Sequence, residues 1–350
     1  MHQLKVLFAL TAASALVACG GGGGDSPAPP PPPAPTPAPA PAPGVGTNGT
    51  LQTSVAVAAY PDTRRRDAFN QLDAVRLGAG AGLLAQSTAL DTSAASHAKY
   101  LTDNGFNSAD SAHDETSGLA DYTGANPFTR MQAAGYSYSY ATEVIGDIGS
   151  TSVTSDCVGD LLDTVYHAVS MLSRVTDVGF GFGSGAAAGM CTIDLASPLN
   201  GGAAMQIPPS GAVVAYPYNG STVAHGTFHV SNESPRVSTT LLPNATAGTP
   251  ILVGFRNQDL VAGGVATVTQ FTLANSAGAS VPSVLLSDSA IQGSGLNADA
   301  DLSSGSGTDF VVLVPVSPLA AGTYTVTLHA AISGGRALAL TTWSFTVAAL

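Results

Sequence analysis

The pattern of apolar and polar positions changes period along the chain. From Arg66 onward, Phe69, Leu72, Val75, Arg76 and Leu77 fall near helical spacing, and Leu83, Leu84, Leu90, Ala94, His97 and Leu101 continue it after a glycine-rich break. Two helices are predicted there. Pro127 near a start and Gly135 at an end bracket a third, short helix, and Val158 to Leu172 read as a further one. Val178, Phe180 and Phe182 alternate with glycines, and Met190, Thr192, Ile193 and Leu195 form another extended run, so a small sheet is expected beside the helices. After the break at Pro208, Pro209, Ser210 and Gly211 the chain turns to short strands: Ile251 to Phe255, Phe310 to Val316, Tyr324 to Leu328 and Trp343 to Val347. In the last two, Tyr324, Val326, Leu328 and Trp343, Phe345, Val347 alternate with polar residues, which marks half-buried strands of a sandwich.

The amino-terminal region follows neither period. Lys5 precedes an apolar stretch from Val6 to Val17 that is too short to span a bilayer and has the form of a signal peptide. Leu16, Val17, Ala18 and Cys19 match a lipobox, in which Cys19 is acylated and becomes the new terminus. Several acyl chains on one cysteine give a stable membrane anchor. Five glycines and then alternating Pro and Ala over residues 20–46 read as a polyproline II stalk, at about 3 Å per residue. The expected organisation is a signal peptide over 1–18, a stalk over 19–50, a mixed domain over 60–200 and an all-β domain over 207–350. Gly20 after the acylated cysteine resembles the sorting pattern of Gram-negative outer-membrane lipoproteins.

A formal charge of −12 with only 11 Lys plus Arg removes nucleic acid from the partner classes, because counterion release needs clustered cations. With Cys19 set aside, Cys157 and Cys191 are expected to pair in an oxidising compartment. The chain has no G-x-S-x-G elbow, no H-E-x-x-H pair and no Walker loop.

Between these features lies an ordered set: His97, Lys99 and Tyr100; His113, Asp114 and Glu115; Pro127, Arg130, Gly135 and Tyr136; Glu143 in Glu-Val-Ile; and Tyr166-His167. It resembles the bacterial form of the CAP superfamily, the cysteine-rich secretory, antigen 5 and pathogenesis-related proteins, over about residues 66–200. The resemblance implies an α/β fold, a CAP-type α-β-α sandwich. The Gly322-Thr323-Tyr324 segment within Leu319 to Leu328 resembles bacterial immunoglobulin-like modules, which implies an immunoglobulin-like sandwich at the carboxyl end.

Carried over residue by residue, the family's cleft would use His113, Glu143 and His167. Neutral imidazoles with a carboxylate suit zinc or another divalent cation. The resemblance places a second acid on the helix before the last histidine, where Asp163 stands four residues ahead of His167; Glu115 is the rival. Glu143 and Glu115 are the candidate bases on a bound water. Ala168 departs from the family, which commonly has an arginine there. His113, Glu143 and His167 have an equally ordinary reading as hydrogen-bonded scaffold, His97 as core, and Arg130 as a pin for the loop. Three functions are therefore expected to compete: a cell-envelope protein that binds a small-molecule, lipid or protein ligand; a hydrolase of peptide or envelope material; and a non-catalytic adhesion or spacer protein.

Overall fold

The computed structural model describes residues 50–105, 111–146, 156–185, 188–199, 205–233, 235–256, 259, 266–302, 308–332, 336–338 and 340–349. The signal peptide, Cys19 and the stalk lie outside the described residues. The chain is mixed helix and strand, with more strand than helix.

The first part is built from α1 (Thr63–Ala79), β1 (Ala85–Gln86), α2 (Thr88–Asn104), α3 (Pro127–Ala133), β2 (Tyr138–Gly146), α4 (Cys157–Leu162), α5 (Tyr166–Met171), β3 (Asp177–Phe182) and β4 (Cys191–Pro198). Local chemistry sets the helix ends. Asp62 accepts from the Arg65 amide to start α1, and Gly80, at φ 83°, returns its N–H to Arg76 and Leu77 to end it. Ser87 caps α2 through the Leu90 amide. Asn126 and Thr129 form a reciprocal capping box around Pro127, which starts α3 where a missing N–H costs nothing.

The single helix expected over Val158 to Leu172 is two. Asp163 closes α4, with its N–H on Gly159 and Leu161, and α5 restarts at Tyr166 after Val165. Spacing of four residues from Asp163 to His167 therefore does not place them on one helix face.

The strands form a four-stranded sheet in the order β1-β3-β4-β2, with β1 and β3 parallel and the rest antiparallel. The period of two sends Val144, Val178, Phe180, Ile193 and Leu195 to one face, in a common hydrophobic cluster with residues of α1, α4 and α5. The opposite face meets α2 and α3. Leu90, Met131, Tyr136, Ala141 and Ala196 cluster there, and Ala98, Tyr100, Leu101, Ile145 and Met190 form a neighbouring group. The glycines between the phenylalanines explain how α2 comes so close. A Cβ on Gly179 would lie 2.1 Å from the Leu90 backbone, and one on Gly181 would lie 2.1 Å from the Ala94 carbonyl. The expected disulfide between Cys157 and Cys191 is present and ties the start of α4 to the start of β4.

Among the described residues the second part is mostly strand, with two 3-10 turns and a helical position at Asp259: β5 (Val213–Tyr216), β6 (Thr222–Val223), β7 (Phe228–His229), β8 (Thr246–Ala247), β9 (Ile251–Arg256), β10 (Ala266–Asn275), β11 (Ser283–Ser287), β12 (Ile291–Gly293), β13 (Leu296–Ala298), β14 (Thr308–Pro315), β15 (Gly322–Ile332), β16 (Arg336–Ala337) and β17 (Thr342–Val347). One sheet runs β12-β10-β15-β17-β6 with β16 on β15, and another runs β13-β11-β14-β9-β5. Along β15, Tyr324, Val326 and Leu328 are buried, as are Trp343, Phe345 and Val347 along β17, in the expected alternation. Every described residue of β14 is buried, so that strand is covered on both faces. The Tyr324 hydroxyl donates to the Ala320 carbonyl at 2.9 Å, pinning the turn that leads into β15.

The described residues of both parts belong to one compact unit and share a continuous hydrophobic cluster. The connection between them is embedded. Gln206, 1% exposed, gives its amide to the Leu83 and Val175 carbonyls at 2.8 Å each and accepts from the Gln52 amide at 2.8 Å. Among the described residues, no helix is long and apolar enough to cross a membrane.

Candidate functional site

The alternation that makes the apolar face also makes its opposite. Glu143 of β2 stands directly across from Asp194 of β4, with Ala141 and Ala196, and Ile145 and Thr192, paired on the same face. These carboxyl groups lie beneath α2, from which His97 and Ser93, four residues apart, are both buried.

Glu143 is the centre of the arrangement. Both of its oxygens accept from one Arg130 guanidinium nitrogen, at 2.9 and 2.8 Å, and Oε1 also contacts His113 Nδ1 at 2.8 Å. Arg130 gives a second N–H to the His113 carbonyl at 2.9 Å. It thereby pins the loop, as read from the sequence. Burial alone would raise the Glu143 carboxyl, but His113, His97 and Arg130 outweigh it and hold the group down at about 2.

His97 is fully buried, with Nδ1 2.9 Å from Glu115 Oε1 and Nε2 2.9 Å from the Ala112 carbonyl. Both partners are acceptors, so both ring nitrogens donate only in the imidazolium form. Glu115 also accepts from the Thr123 amide at 2.7 Å and the Gly124 amide at 3.2 Å, which ties the loop after α2 to that helix.

Asp194 completes the set and was not singled out from the sequence. It is wholly buried, and neither oxygen completes a hydrogen bond to a donor among the described residues. Burial first, and then the facing Glu143 charge, raises its carboxyl well above the usual range. Two facing carboxylates cannot both accept, whereas a proton on Asp194 makes it a donor to its neighbour. With Asp194 neutral, Arg130 lies against two carboxylates, Glu143 at 2.8 Å and Glu115 at 3.6 Å, rather than three.

At the edge of this closed network are the two imidazoles that reach solvent. The His113 side chain is 33% exposed and that of His167 14%. The Nδ1 of His113 donates to the Glu143 carboxylate. The Nδ1 of His167 lies 2.9 Å from the Thr164 hydroxyl and 3.7 Å from Glu233 Oε1. Since that hydroxyl donates to the Leu161 carbonyl at 2.7 Å, His167 carries its hydrogen on Nδ1. Burial, then the neighbouring His113, pulls the His167 imidazole down to about 4, so it is neutral at pH 7. In the His167 ring the lone pair is left on Nε2.

The structure brings His113 and Glu143 into contact and sets His167 near enough to His113 to be influenced by its charge, but it does not gather the other expected acids. Asp163 is directed elsewhere: its interactions are with Thr249, Asp160 and Asp156, and it bears on buried Tyr216 of β5. Burial, then the Asp160 charge, pushes its carboxyl up to about 8. Glu115 is 5% exposed and spends its oxygens on His97, Thr123 and Gly124.

These engagements test the metal that the resemblance implies. A cation on Glu143 would have to displace a guanidinium that holds both oxygens, which leaves two imidazoles and no carboxylate. Among the described residues there is no group of three or more His, Cys, Asp or Glu that could hold a metal ion. The donor set His113, Glu143 and His167 thus does not fit a metal centre: Asp163 lies among Thr249, Asp160 and Asp156, and Glu115 spends its oxygens on His97, Thr123 and Gly124. For the same reason neither Glu143 nor Glu115 is placed to activate water.

The residue that sequence reasoning missed beside His167 comes from the second part. Glu233 is 2% exposed and accepts from the amides of Val165 at 3.1 Å and Tyr166 at 2.5 Å. Burial pushes its carboxyl up to about 7 against the pull of those amides. No short motif signals it, because it lies 66 residues beyond His167 in sequence.

The chain matches no family model, and no curated protein is significantly similar to it.

Proposed function

We propose that this chain is an exported, lipid-anchored CAP-type protein of the cell envelope that binds a ligand between His113 and His167 without a metal. The observation that carries this reading is the His113 Nδ1 contact to Glu143 at 2.8 Å, backed by the two-oxygen grip of Arg130 on the same carboxylate. A buried network of hydrogen bonds and ion pairs is spent on orienting one half-exposed ring. A scaffold histidine needs no such backing.

Three further features support the assignment. Helices on both faces of the four-stranded sheet fit the α-β-α sandwich of the superfamily. The hydroxyl of Tyr324 on the Ala320 carbonyl fits the tyrosine corner of immunoglobulin-like sandwiches. The lipobox ending at Cys19, the Pro/Ala stalk and Gly20 fit a protein whose two parts stand outside the cytoplasm on an outer-membrane lipid anchor.

The Nε2 lone pair of His167 on a chain of charge −12 favours a ligand that offers N–H or O–H donors or positive charge. Amino-bearing envelope fragments have that chemistry. Calorimetric titration of the full chain with muropeptide fragments, and separately with zinc, tests the reading beside His113→Ala/His167→Ala. Fragment binding lost in the folded double variant is expected, with no zinc binding. Tight zinc binding that the variant loses would overturn the metal-free site. Absence of any binding would return the histidines to scaffold and the chain to an adhesion or spacer role.

The orientation of His113 also favours a second reading. Its Nδ1–H on Glu143 leaves Nε2 as a base for a bound water, the role played by oriented imidazoles in hydrolases. Turnover of peptide or envelope substrates by the parent, abolished in His113→Ala, would establish it.

A further inference from the structure

The second part grips the segment that carries His167 from several sides. Glu233 takes the Val165 and Tyr166 amides and stands 3.7 Å from His167 Nδ1. Asp299 takes the Tyr166 hydroxyl at 2.7 Å. His225 lies 3.8 Å from Asp160 on α4, and Thr249, whose hydroxyl binds the His225 carbonyl at 2.7 Å, interacts with Asp163.

Helix α5 has six residues and no side-chain cap of its own from Val165. A helix this short is not stable by itself, and its first amides need acceptors. They find them in a carboxylate from the other part of the molecule.

We infer that Glu233 is a positioning residue for His167, and that the strand part is therefore a working component of the cleft. This rests on the ligand-binding reading above for its functional meaning, though not for the contact itself. The groups facing Glu233 are the backbone amides of Val165, Tyr166 and His167, the Thr164 side chain and the His167 ring; the Tyr166 hydroxyl and Asp299 lie on the adjoining side. An amide at position 233 can offer one oxygen where the carboxylate offers two, and it brings an N–H against donors.

The experiment is NMR of the full chain and its Glu233→Gln variant, following the imidazole nitrogens of His113 and His167 and amide exchange along Val165 to Met171. Exchange at Val165 and Tyr166 should accelerate at least tenfold. The His167 ring signals should shift toward a mixed tautomer, while His113 and the amides of β3 and β4 stay as in the parent. Unchanged His167 signals and exchange in a folded variant would overturn the inference. Uniform acceleration across α2, β3 and β4 would also overturn it, since that is general loss of stability. Should Glu233→Gln not fold, Tyr166→Phe decides: it cuts the Asp299 contact without uncovering a buried charge, and it should move the same His167 signals to a smaller extent.

Ligand titration separates the two claims. If the parent binds muropeptide fragments and Glu233→Gln binds them equally well, the positioning role fails. If the parent binds nothing while His167 still shifts in the variant, the cleft reading fails and the positioning stands.

Discussion

On one face of the four-stranded sheet, Val144, Val178, Phe180, Ile193 and Leu195 pack into hydrocarbon with α1, α4 and α5. On the other, one residue along each strand, Glu143, Asp194, Gly179 and Gly181 lie beneath α2. The same strands supply both faces, so the contrast comes from alternation alone. The apolar face tolerates imperfect neighbours, because hydrophobic burial is non-directional. The polar face is held by a hydrogen-bonded network in which each member depends on the next. Stability is distributed on the first face and concentrated on the second.

The largest break should come from the second face. Arg130→Met leaves the Glu143 carboxylate buried without its guanidinium, and removing one partner of a buried pair costs about 3–5 kcal/mol. Urea unfolding checks this. The loss should be greatest near neutral pH, because the depressed Glu143 carboxyl contributes stability above its unfolded value that fades as pH falls toward about 2. On the apolar side the strongest single restraint is the disulfide. Cys157 and Cys191 are 34 residues apart, and releasing a loop of that size costs about 3–4 kcal/mol in the chain-entropy picture. The Cys157→Ser/Cys191→Ser variant should lose that amount in urea while its His113 ring signals stay in place. Third comes Gly181→Ala, whose Cβ would collide with the Ala94 carbonyl carbon and oxygen of α2. Overpacking of this kind costs about 1–3 kcal/mol, and thermal unfolding against Gly185→Ala, where nothing lies within 4 Å but φ is positive, separates collision from backbone strain.

Much of the apolar face was legible in the sequence because periodicity reports it: Phe69 and Leu72 on α1, Val178 and Phe180 on β3, and Ile193 and Leu195 on β4 are all buried as spaced. In the strand part, Tyr324 to Leu328 and Trp343 to Val347 alternate as read. The break at Asp163 between α4 and α5 was not legible, since no glycine or proline marks it; the segment's restart depends on Glu233, which no local pattern reports. The polar face was legible in part. His113, Glu143 and Arg130 stand out in an ordered motif, but Asp194 reads as an ordinary polar residue inside an apolar run. Its meaning lies in the register of β2 against β4, which single-sequence spacing does not contain. Asp163 misled for the opposite reason, because spacing of four implies a shared face only where the helix is continuous.

Asp194→Asn should have the smallest effect of the series, and it bears most directly on why the two faces differ. If Asp194 is the neutral acid of the network, an amide is a near-isosteric replacement that still donates to Glu143, so urea unfolding at pH 6 should change by less than about 1 kcal/mol. A raised folded value means that the contribution of Asp194 to stability is present at low pH and is lost as pH rises through that value. The variant has no proton to lose, so its stability should decline less than that of the parent as pH rises above the usual carboxylate range. A loss of several kcal/mol already at pH 6 would mean that Asp194 is ionised and that three buried carboxylates, Glu115, Glu143 and Asp194, share the Arg130 charge.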